Sequence, residues 1–373
     1  MLDALRQARV IENDYVKRWK ADGGVVVGYS CSFAPPEIFE AAGVLPFRIR
    51  ALGNSRTELA DSRLSRFNCS FCRACLQLGL EGAYDFLDGL VETNGCDQLR
   101  GMFENWQYAH PVAFFHYLKG PHIETPEALE YYTGELRACA LTTAAHFGRE
   151  LSEPALWDAI HRQERIRVLQ RQLNGMRAKE NPALTGAEML GLILLGSAML
   201  ATEYERLLTQ VIAESETRTV PGFKARLVLG GSATDETEFV ELIEDVGGLV
   251  VADALCFGAR AFLPELDRAE ADPWRALADL YLRRSLCPRM FDGFARRLEF
   301  IERLVTETRA HGVILVHNKF CDIHGIDNTL LRKKLREVGT PVLTLEKEYG
   351  GLADFGRLRT RVQAFLEHIG GRA

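Results

Sequence analysis

The stretch ARLVLGGSATDETEFVELIEDVGGLVVAD, residues 225–253, contains a complete strand–helix–strand unit. The apolar run ARLVLGG predicts a strand, and the segment DETEFVELIEDVGG predicts a helix that stops at its glycines. A second apolar run, GLVVAD, predicts the next strand. Strands that alternate with helices in this way indicate a parallel, doubly wound sheet.

The same alternation occurs in the first third of the chain and continues to its end. Short apolar runs such as GGVVVGY, VLPFRI and DGLVET come before residue 126, and GVILVHN and TPVLTLE follow the opening stretch. Between them lies a segment of three predicted helices, for which Ser152 and Thr185 are suitable N-caps. We therefore expect an α/β fold of two doubly wound, Rossmann-like parallel-sheet domains joined by a helical segment. The expected divisions are an N-terminal helix (1–22), an N-terminal α/β domain (23–125), a helical connector (126–220) and a C-terminal α/β domain (221–373).

Composition narrows the class of protein. The 373 residues carry a net charge of −6 without a basic tract, which argues against nucleic acid as a partner. The N-terminus lacks an apolar signal region, and the longest apolar run, Leu190–Ala201, is only 12 residues. We expect a cytoplasmic protein without a membrane span.

Four of the nine cysteines follow directly on predicted strands. They are Cys31, Cys96, Cys256 and Cys321, and they come from both halves of the chain. Ligands of doubly wound sheets bind outside the carboxyl ends of the strands. The pattern predicts a site in a cleft between the two α/β domains, with thiolates supplied from both sides.

Three further cysteines lie in the stretch FNCSFCRACLQLG, residues 67–79. The spacing of Cys69, Cys72 and Cys75 begins like a bacterial ferredoxin run but lacks its fourth cysteine. Thiolates select zinc, copper(I) or iron–sulfur clusters, and structural zinc sites usually show paired C-x2-C knuckles. A nucleophilic cysteine is an alternative, with His317 or His324 as the base for Cys321. Single cysteines that converge from distant segments favour a cluster held between domains.

Several motifs together resemble the family of 2-hydroxyacyl-CoA dehydratase and benzoyl-CoA reductase subunits, which also includes double-cubane cluster proteins. The resemblance extends from about residue 24 to 368. It is carried, in order, by GYSCSFAPPEIFEAAGVLPFRI, Cys69-x3-Arg73 with Leu78-Gly79, NGCDQLR, VVADALCFGAR, VHNKFCD and GRLRTRVQAFLE.

The resemblance implies a 4Fe–4S cluster held by three cysteines, with one iron left open. Carried over to this sequence, the ligands are Cys69, Cys96 and Cys321. Cys72 and Cys75 depart from the family pattern, and two interpretations stay open: they are helix-face residues one turn along, or they replace or add to Cys69. An open iron is expected to bind an acyl-CoA thioester and pass it one electron, giving ketyl-radical chemistry. This implies an acyl-CoA dehydratase or an aromatic, benzoyl-CoA type reductase.

The resemblance also implies partners. These are an acyl-CoA substrate, a homologous second subunit in a heterodimer (or a homodimer), and a separate ATP-dependent iron–sulfur activator that donates electrons. The chain itself has no GxxxxGK[ST] loop, which agrees with ATP hydrolysis by a separate protein.

Ser32 and Glu37, in the loop and helix after the first strand, are candidate catalytic residues for proton movement. Glu37 also has a structural interpretation, because an acidic side chain in a first helical turn is stabilised by the helix dipole.

Two alternatives stay open. A double-cubane 8Fe–9S reductase of small molecules would need about six cysteines, which Cys31, Cys256 and Cys287 could complete. A non-catalytic partner subunit is the other.

Overall fold

Two four-stranded sheets, parallel throughout, form the centre of the protein. The structure is a computed structural model and describes residues 1–283, 286–350 and 354–370. The predicted α/β class with two Rossmann-like domains is confirmed.

The first sheet has the strand order β2-β1-β3-β4, in which β1 pairs with both β2 and β3. Every residue of β1, β2 and β3 is buried, as expected for strands that have helices on both faces. The strands are β1 (Val26–Tyr29), β2 (Leu45–Arg48), β3 (Gly89–Thr93) and β4 (Phe114–Leu118).

The second sheet repeats this topology with the order β6-β5-β7-β8. Its two central strands, β5 and β7, pair in parallel from Leu227 and Gly312 onward. The strands are β5 (Ala225–Gly231), β6 (Gly248–Ala254), β7 (Gly312–Asn318) and β8 (Val342–Lys347).

Helices cover both sheets and fill the segment between them. Those of the N-terminal part are α1 (Leu2–Ala8), α2 (Asp14–Ala21), α3 (Pro36–Ala41), α4 (Glu58–Asp61), α5 (Ser70–Leu80) and α6 (Asp97–Ala109). The connecting helices are α7 (Pro126–His146), α8 (Glu153–Ala178), α9 (Gly186–Gly196) and α10 (Ala201–Ser215). The C-terminal part adds α11 (Thr237–Asp245), a 3-10 turn (Ala259–Ala261), α12 (Pro273–Arg283), α13 (Phe294–Glu307), α14 (Asp322–Glu337) and α15 (Phe355–Gly370).

The helical connector contains four helices where the sequence predicted three. Ser152 and Thr185 cap α8 and α9 as predicted, each accepting a backbone N–H of the first helical turn. The extra break separates α9 from α10 at Gly196, where a side chain would collide with the ring of Tyr204 at 2.3 Å. The long apolar run therefore does not form one continuous helix.

The N-terminal segment forms two helices, so the prediction of one helix over 1–22 is corrected. Asn13 explains the break, because its side-chain oxygen accepts the N–H groups of Tyr15 and Val16 and so starts α2. Its amide nitrogen donates to the carbonyl of Ala198 at 3.0 Å and attaches this corner to the connector.

Hydrogen bonds join the two sheet domains close to the carboxyl ends of their strands. Arg48, at the end of β2, donates to the carbonyl of Cys256 at 2.7 Å. The carboxylate of Asp235 accepts the N–H of Ala51 at 2.7 Å. These contacts place the same edge of both sheets against each other. No helix in the described ranges is both long and apolar enough to span a bilayer.

Candidate iron–sulfur site

Three of the four cysteines predicted for this edge lie at the switch points of the two sheets, while Cys256 follows the edge strand β6. In each sheet the chain leaves its two central strands, β1 and β3 or β5 and β7, in opposite directions, which opens a crevice at their carboxyl ends. Cys31 and Cys96 follow β1 and β3, and Cys321 follows β7. The position after β5 is taken by Ser232, whose hydroxyl accepts the N–H of Asn318 and hydrogen-bonds the Cys321 thiol.

Cys69 reaches this edge from the helix that follows the first sheet's β2. It is the N-cap of α5, and its own N–H is held by the side chain of Gln98 at 3.0 Å. The next residue, Ser70, donates its N–H to the carbonyl of Lys319 in the other domain at 3.2 Å. This hydrogen bond between the two domains brings the Cys69 thiol into hydrogen-bonding contact with the Cys321 thiol.

Cys96 completes the group from the first sheet. It is the N-cap of α6, where its sulfur accepts the N–H of Leu99 at 3.4 Å. Its thiol is close enough to interact electrostatically with both Cys69 and Cys321. The three predicted ligands therefore come together from three separate segments, and their role as ligands stays a prediction.

The pKa values of these three thiols are all raised, because each thiol is buried and interacts with other thiols instead of with a cation. The hydrogen bond with Cys69, followed by burial, raises the pKa of Cys321 well above its ordinary value. Burial, followed by the neighbouring thiols Cys69 and Cys321, also raises the pKa of Cys96. For Cys69 the hydrogen bond from Cys321 lowers the pKa, but the hydrogen bond with Cys72 and burial outweigh it. The group is therefore protonated in the metal-free chain, and binding of a cluster must release protons.

The donor set fits an iron–sulfur cluster chemically. Three thiols meet in one place, and thiolates are the ligands that such clusters take. In the described part of the chain, no three His, Cys, Asp or Glu side chains are arranged to hold a single metal ion.

Four other cysteines lie around this group: Cys31, Cys287, Cys72 and Cys75. The Sγ of Cys31 lies so close to Gly95 that a Cβ there would be 3.1 Å from it, a tight contact that a side chain at 95 would have to relieve by a small shift. Cys31 interacts electrostatically with Cys96 on one side and Cys287 on the other. Cys72 is buried in α5 and hydrogen-bonds Cys69. Cys75, one turn further, is fully buried.

Two buried arginines beside Cys287 have no acidic partner. Arg260 and Arg289 are 7% and 4% exposed, and both interact electrostatically with the Cys287 thiol. Within residues 1–283, 286–350 and 354–370 neither forms an ion pair, and each leaves two nitrogens without a hydrogen-bond acceptor. Burying an unpaired charge costs several kcal/mol. This edge of the cleft therefore favours an anionic occupant.

The two histidines near Cys321 do not activate its thiol. The His317 ring faces the backbone carbonyl of Cys321 at 3.2 Å and the carboxylate of Glu346 at 3.5 Å. His324 is half-buried, and its burial lowers its pKa well below the ordinary value. These contacts give no support to a cysteine–histidine nucleophile.

The two candidate catalytic residues occupy different environments. The carboxyl ends of the strands, where Cys31, Cys69, Cys96, Cys287 and Cys321 lie, are called the cysteine edge below. Ser32 is half-buried and lines a cavity beside this edge. Glu37 is completely buried in the first turn of α3, where its carboxylate pairs with Arg167 at 2.8 Å and accepts the hydroxyl of Tyr281 at 2.8 Å. These partners support the structural interpretation of Glu37, and its catalytic role remains untested.

Sequence reasoning missed the two arginines, Arg260 and Arg289, at this edge. Arg260 lies within the motif VVADALCFGAR, four residues beyond Cys256, but nothing in the sequence shows that its partner is absent. Arg73, four residues after Cys69, turns out to be committed to Asp61 at 2.6 Å and Glu348 at 3.3 Å.

Comparison with the sequences of known proteins identifies the family of the chain. The family model described as 2-hydroxyglutaryl-CoA dehydratase, D-component, matches residues 31–369. The (R)-phenyllactyl-CoA dehydratase beta subunit of Clostridium sporogenes is 23% identical, over 96% of each chain. The beta subunit of (R)-2-hydroxyglutaryl-CoA dehydratase from Acidaminococcus fermentans is 24% identical, over 99% of each chain. A benzoyl-CoA reductase subunit of Thauera aromatica is 24% identical, over 88% of each chain. The chain thus belongs to the 2-hydroxyglutaryl-CoA dehydratase D-component family.

Proposed function

We propose that this chain is an iron–sulfur catalytic subunit of an acyl-CoA dehydratase or of a benzoyl-CoA type reductase. The observation that carries the proposal is the meeting of Cys69, Cys96 and Cys321, which come from both α/β domains, at the carboxyl edge of the two sheets. Relatives that match almost the whole chain are named as subunits of such enzymes.

The cofactor of this proposal is a 4Fe–4S cluster held by those three thiolates. When bound with one iron open, such a cluster supplies one-electron chemistry to a thioester. The chain contributes the ligands and a buried setting, and Arg260 and Arg289 offset the negative charge that thiolates and substrate bring. Ser32 and Glu37 lie in the loop and helix after β1, beside the same edge. Ser32 is the better placed of the two to exchange a proton, since Glu37 is already paired.

The partners follow from the same proposal. Relatives of the chain are named as single subunits of larger enzymes, two of them as beta subunits, so we expect a homologous second subunit. A separate ATP-dependent iron–sulfur activator would deliver the electrons, and an acyl-CoA would be the substrate. We place the assembly in the cytoplasm.

The double-cubane reductase is a second candidate because more than three thiols lie together at this edge. Cys31 and Cys287 continue the group beyond Cys96, as an 8Fe–9S cluster would require. The hydroxyl of Ser232, however, occupies the position after β5 that corresponds to Cys31 after β1.

The experiment is to measure iron and acid-labile sulfide per chain in protein purified without oxygen. About four irons per chain support the single cluster, and turnover of acyl-CoA substrates with the partner subunit would then be tested. About eight irons favour the double-cubane candidate. Absence of iron after reconstitution would contradict both and leave a non-catalytic partner subunit.

A further inference from the structure

A fourth thiol, that of Cys72, lies against the three predicted ligands. The Cys72 side chain is 2% exposed and forms a hydrogen bond with the Cys69 thiol. It also interacts electrostatically with the thiols of Cys96 and Cys321. Cys72 therefore interacts with every member of the group that would hold the proposed cluster.

The start of helix α5 holds the Cys72 thiol in this place. Cys69 is the N-cap of α5 and Cys72 is its third residue, two positions whose side chains meet where a helix begins. The N-terminus of a helix also favours negative charge, so both sulfurs lie where a thiolate is stabilised. In bacterial ferredoxins, cysteines that are separated by two residues bind the same cluster. The spacing thus allows Cys69 and Cys72 to serve one cluster together.

The number of ligands gives this fourth thiol a role. Clusters of the 4Fe–4S type are usually held by four cysteines, of which Cys69, Cys96 and Cys321 supply three. The last iron of the proposed cluster is without a protein ligand unless another side chain supplies one. Cys72 is buried beside all three ligands, and its thiol has only to release its proton to bind iron.

We propose that Cys72 is a fourth ligand, which binds the iron that the other three cysteines leave open. The inference rests on the proposed function and adds regulation to it. In the substrate-free protein the cluster is closed, and an acyl-CoA reaches the iron only by displacing the Cys72 thiolate, which then takes up a proton. A thiol that only fills space, or only donates a hydrogen bond to Cys69, would leave this iron open at all times.

The test determines whether one iron is open in the natural chain. The full chain, purified without oxygen, is treated with the oxidant ferricyanide, and the iron kept per chain is measured together with the electron paramagnetic resonance spectrum. An iron without a protein ligand is the first to be lost on oxidation, which leaves a 3Fe–4S cluster with its own signal. We expect the natural chain to keep about four irons per chain and to show no such signal.

Cys72→Ala opens this iron and leaves the other three ligands in place. We expect the variant to bind about four irons per chain and to lose about one of them on the same oxidation, with the 3Fe–4S signal. The matched control is Cys75→Ala, on the same helix and fully buried, which should behave like the natural chain. Cys69→Ser should lose most of the iron, because Cys69 is the thiol that joins Cys72 to Cys321.

Loss of one iron from the natural chain on oxidation would overturn the inference, and this result does not depend on whether a variant folds. Retention of all the iron by oxidised Cys72→Ala would overturn it as well. So would iron that is kept in Cys69→Ser but lost from Cys72→Ala before oxidation, because Cys72 would then replace Cys69. Absence of iron from the natural chain after reconstitution contradicts the proposed function itself, and the inference fails with it.

Discussion

Buried arginines have carboxylate partners in one region of the molecule and lack them in a neighbouring one. Along helix α8, buried arginines face carboxylates: Arg167 pairs with Glu37, and Arg177 pairs with Asp253 at 2.9 Å. At the cysteine edge, Arg260 and Arg289 are just as buried but have no acidic partner in the described ranges. The residues outside those ranges include no aspartate or glutamate.

The paired arginines on α8 use their charge within the fold. The pairs on α8 tie this helix to both sheet domains, since Glu37 lies on α3 and Asp253 lies near the end of β6. Both arginines at the cysteine edge donate to backbone carbonyls, Arg260 to that of Leu286 and Arg289 to that of Gly120. Within the described ranges, however, neither has a counter-charge to offset its desolvation. Their charge is available to a group that binds in the cleft.

The largest expected effect comes from breaking a pair on the α8 side. Asp253→Asn leaves Arg177 buried without its counter-charge, and we expect the free energy of unfolding to fall by about 3–5 kcal/mol. Urea denaturation of the iron-free chain measures this. The matched control, Asp354→Asn, breaks the exposed pair with Arg357 and should cost under about 1 kcal/mol. Equal losses in the two variants would mean that burial does not set the strength of these pairs.

Glu40 is a buried carboxyl that makes the stability of the fold depend on pH. Burial raises the pKa of Glu40 to about 8 in the folded chain, against 4.5 as its ordinary value. The folded state therefore holds a proton that the unfolded state releases, and stability falls as pH rises from about 4.5 to about 8. Each pKa unit corresponds to about 1.4 kcal/mol, so the loss amounts to a few kcal/mol.

The variant Glu40→Gln keeps the neutral form at every pH. We expect it to flatten this part of the pH dependence and to be more stable than the natural chain at about pH 8. Urea denaturation across the pH range measures both. Glu299→Gln, on the exposed face of α13, should leave the slope as it is. An unchanged slope in Glu40→Gln would show that Glu40 is ionised in the folded chain.

The smallest effect on stability is expected at the cysteine edge itself. Arg289→Gln removes a buried charge that has no partner, so its effect on unfolding should be within about 1 kcal/mol, because lost packing and relieved desolvation offset each other. In the iron-loaded protein the cluster potential should fall by several tens of millivolts, since about 59 mV corresponds to a tenfold change for one electron. A redox titration followed by electron paramagnetic resonance measures it. An unchanged potential would place the arginine outside the electrostatic reach of the cluster.

The fold was predictable because its signals are local. A parallel sheet needs apolar strands, helices between them and glycine stops, and the stretch 225–253 shows all three within one strand–helix–strand unit. The cysteine edge was predictable for the same reason, since Cys31, Cys96, Cys256 and Cys321 each follow a strand. Topology then fixes which edge they share.

What the sequence did not predict depends on contacts between distant segments. The unpaired state of Arg260 and Arg289 is visible only once the whole neighbourhood is known. Likewise, the pairing of Glu37 with Arg167 joins residues 130 positions apart. The break between α1 and Asn13 was missed because the helical pattern continues through it, while the side-chain cap of Asn13 and its tertiary contact with Ala198 set the second helix start.

The most direct test of the central claim is iron per chain in single cysteine variants purified without oxygen. We expect Cys69→Ser, Cys96→Ser and Cys321→Ser each to lose most of the iron. Cys139→Ser, at a buried cysteine in the connector, and Cys31→Ser should retain it. Unchanged iron in the three ligand variants would show that these cysteines do not hold the cluster.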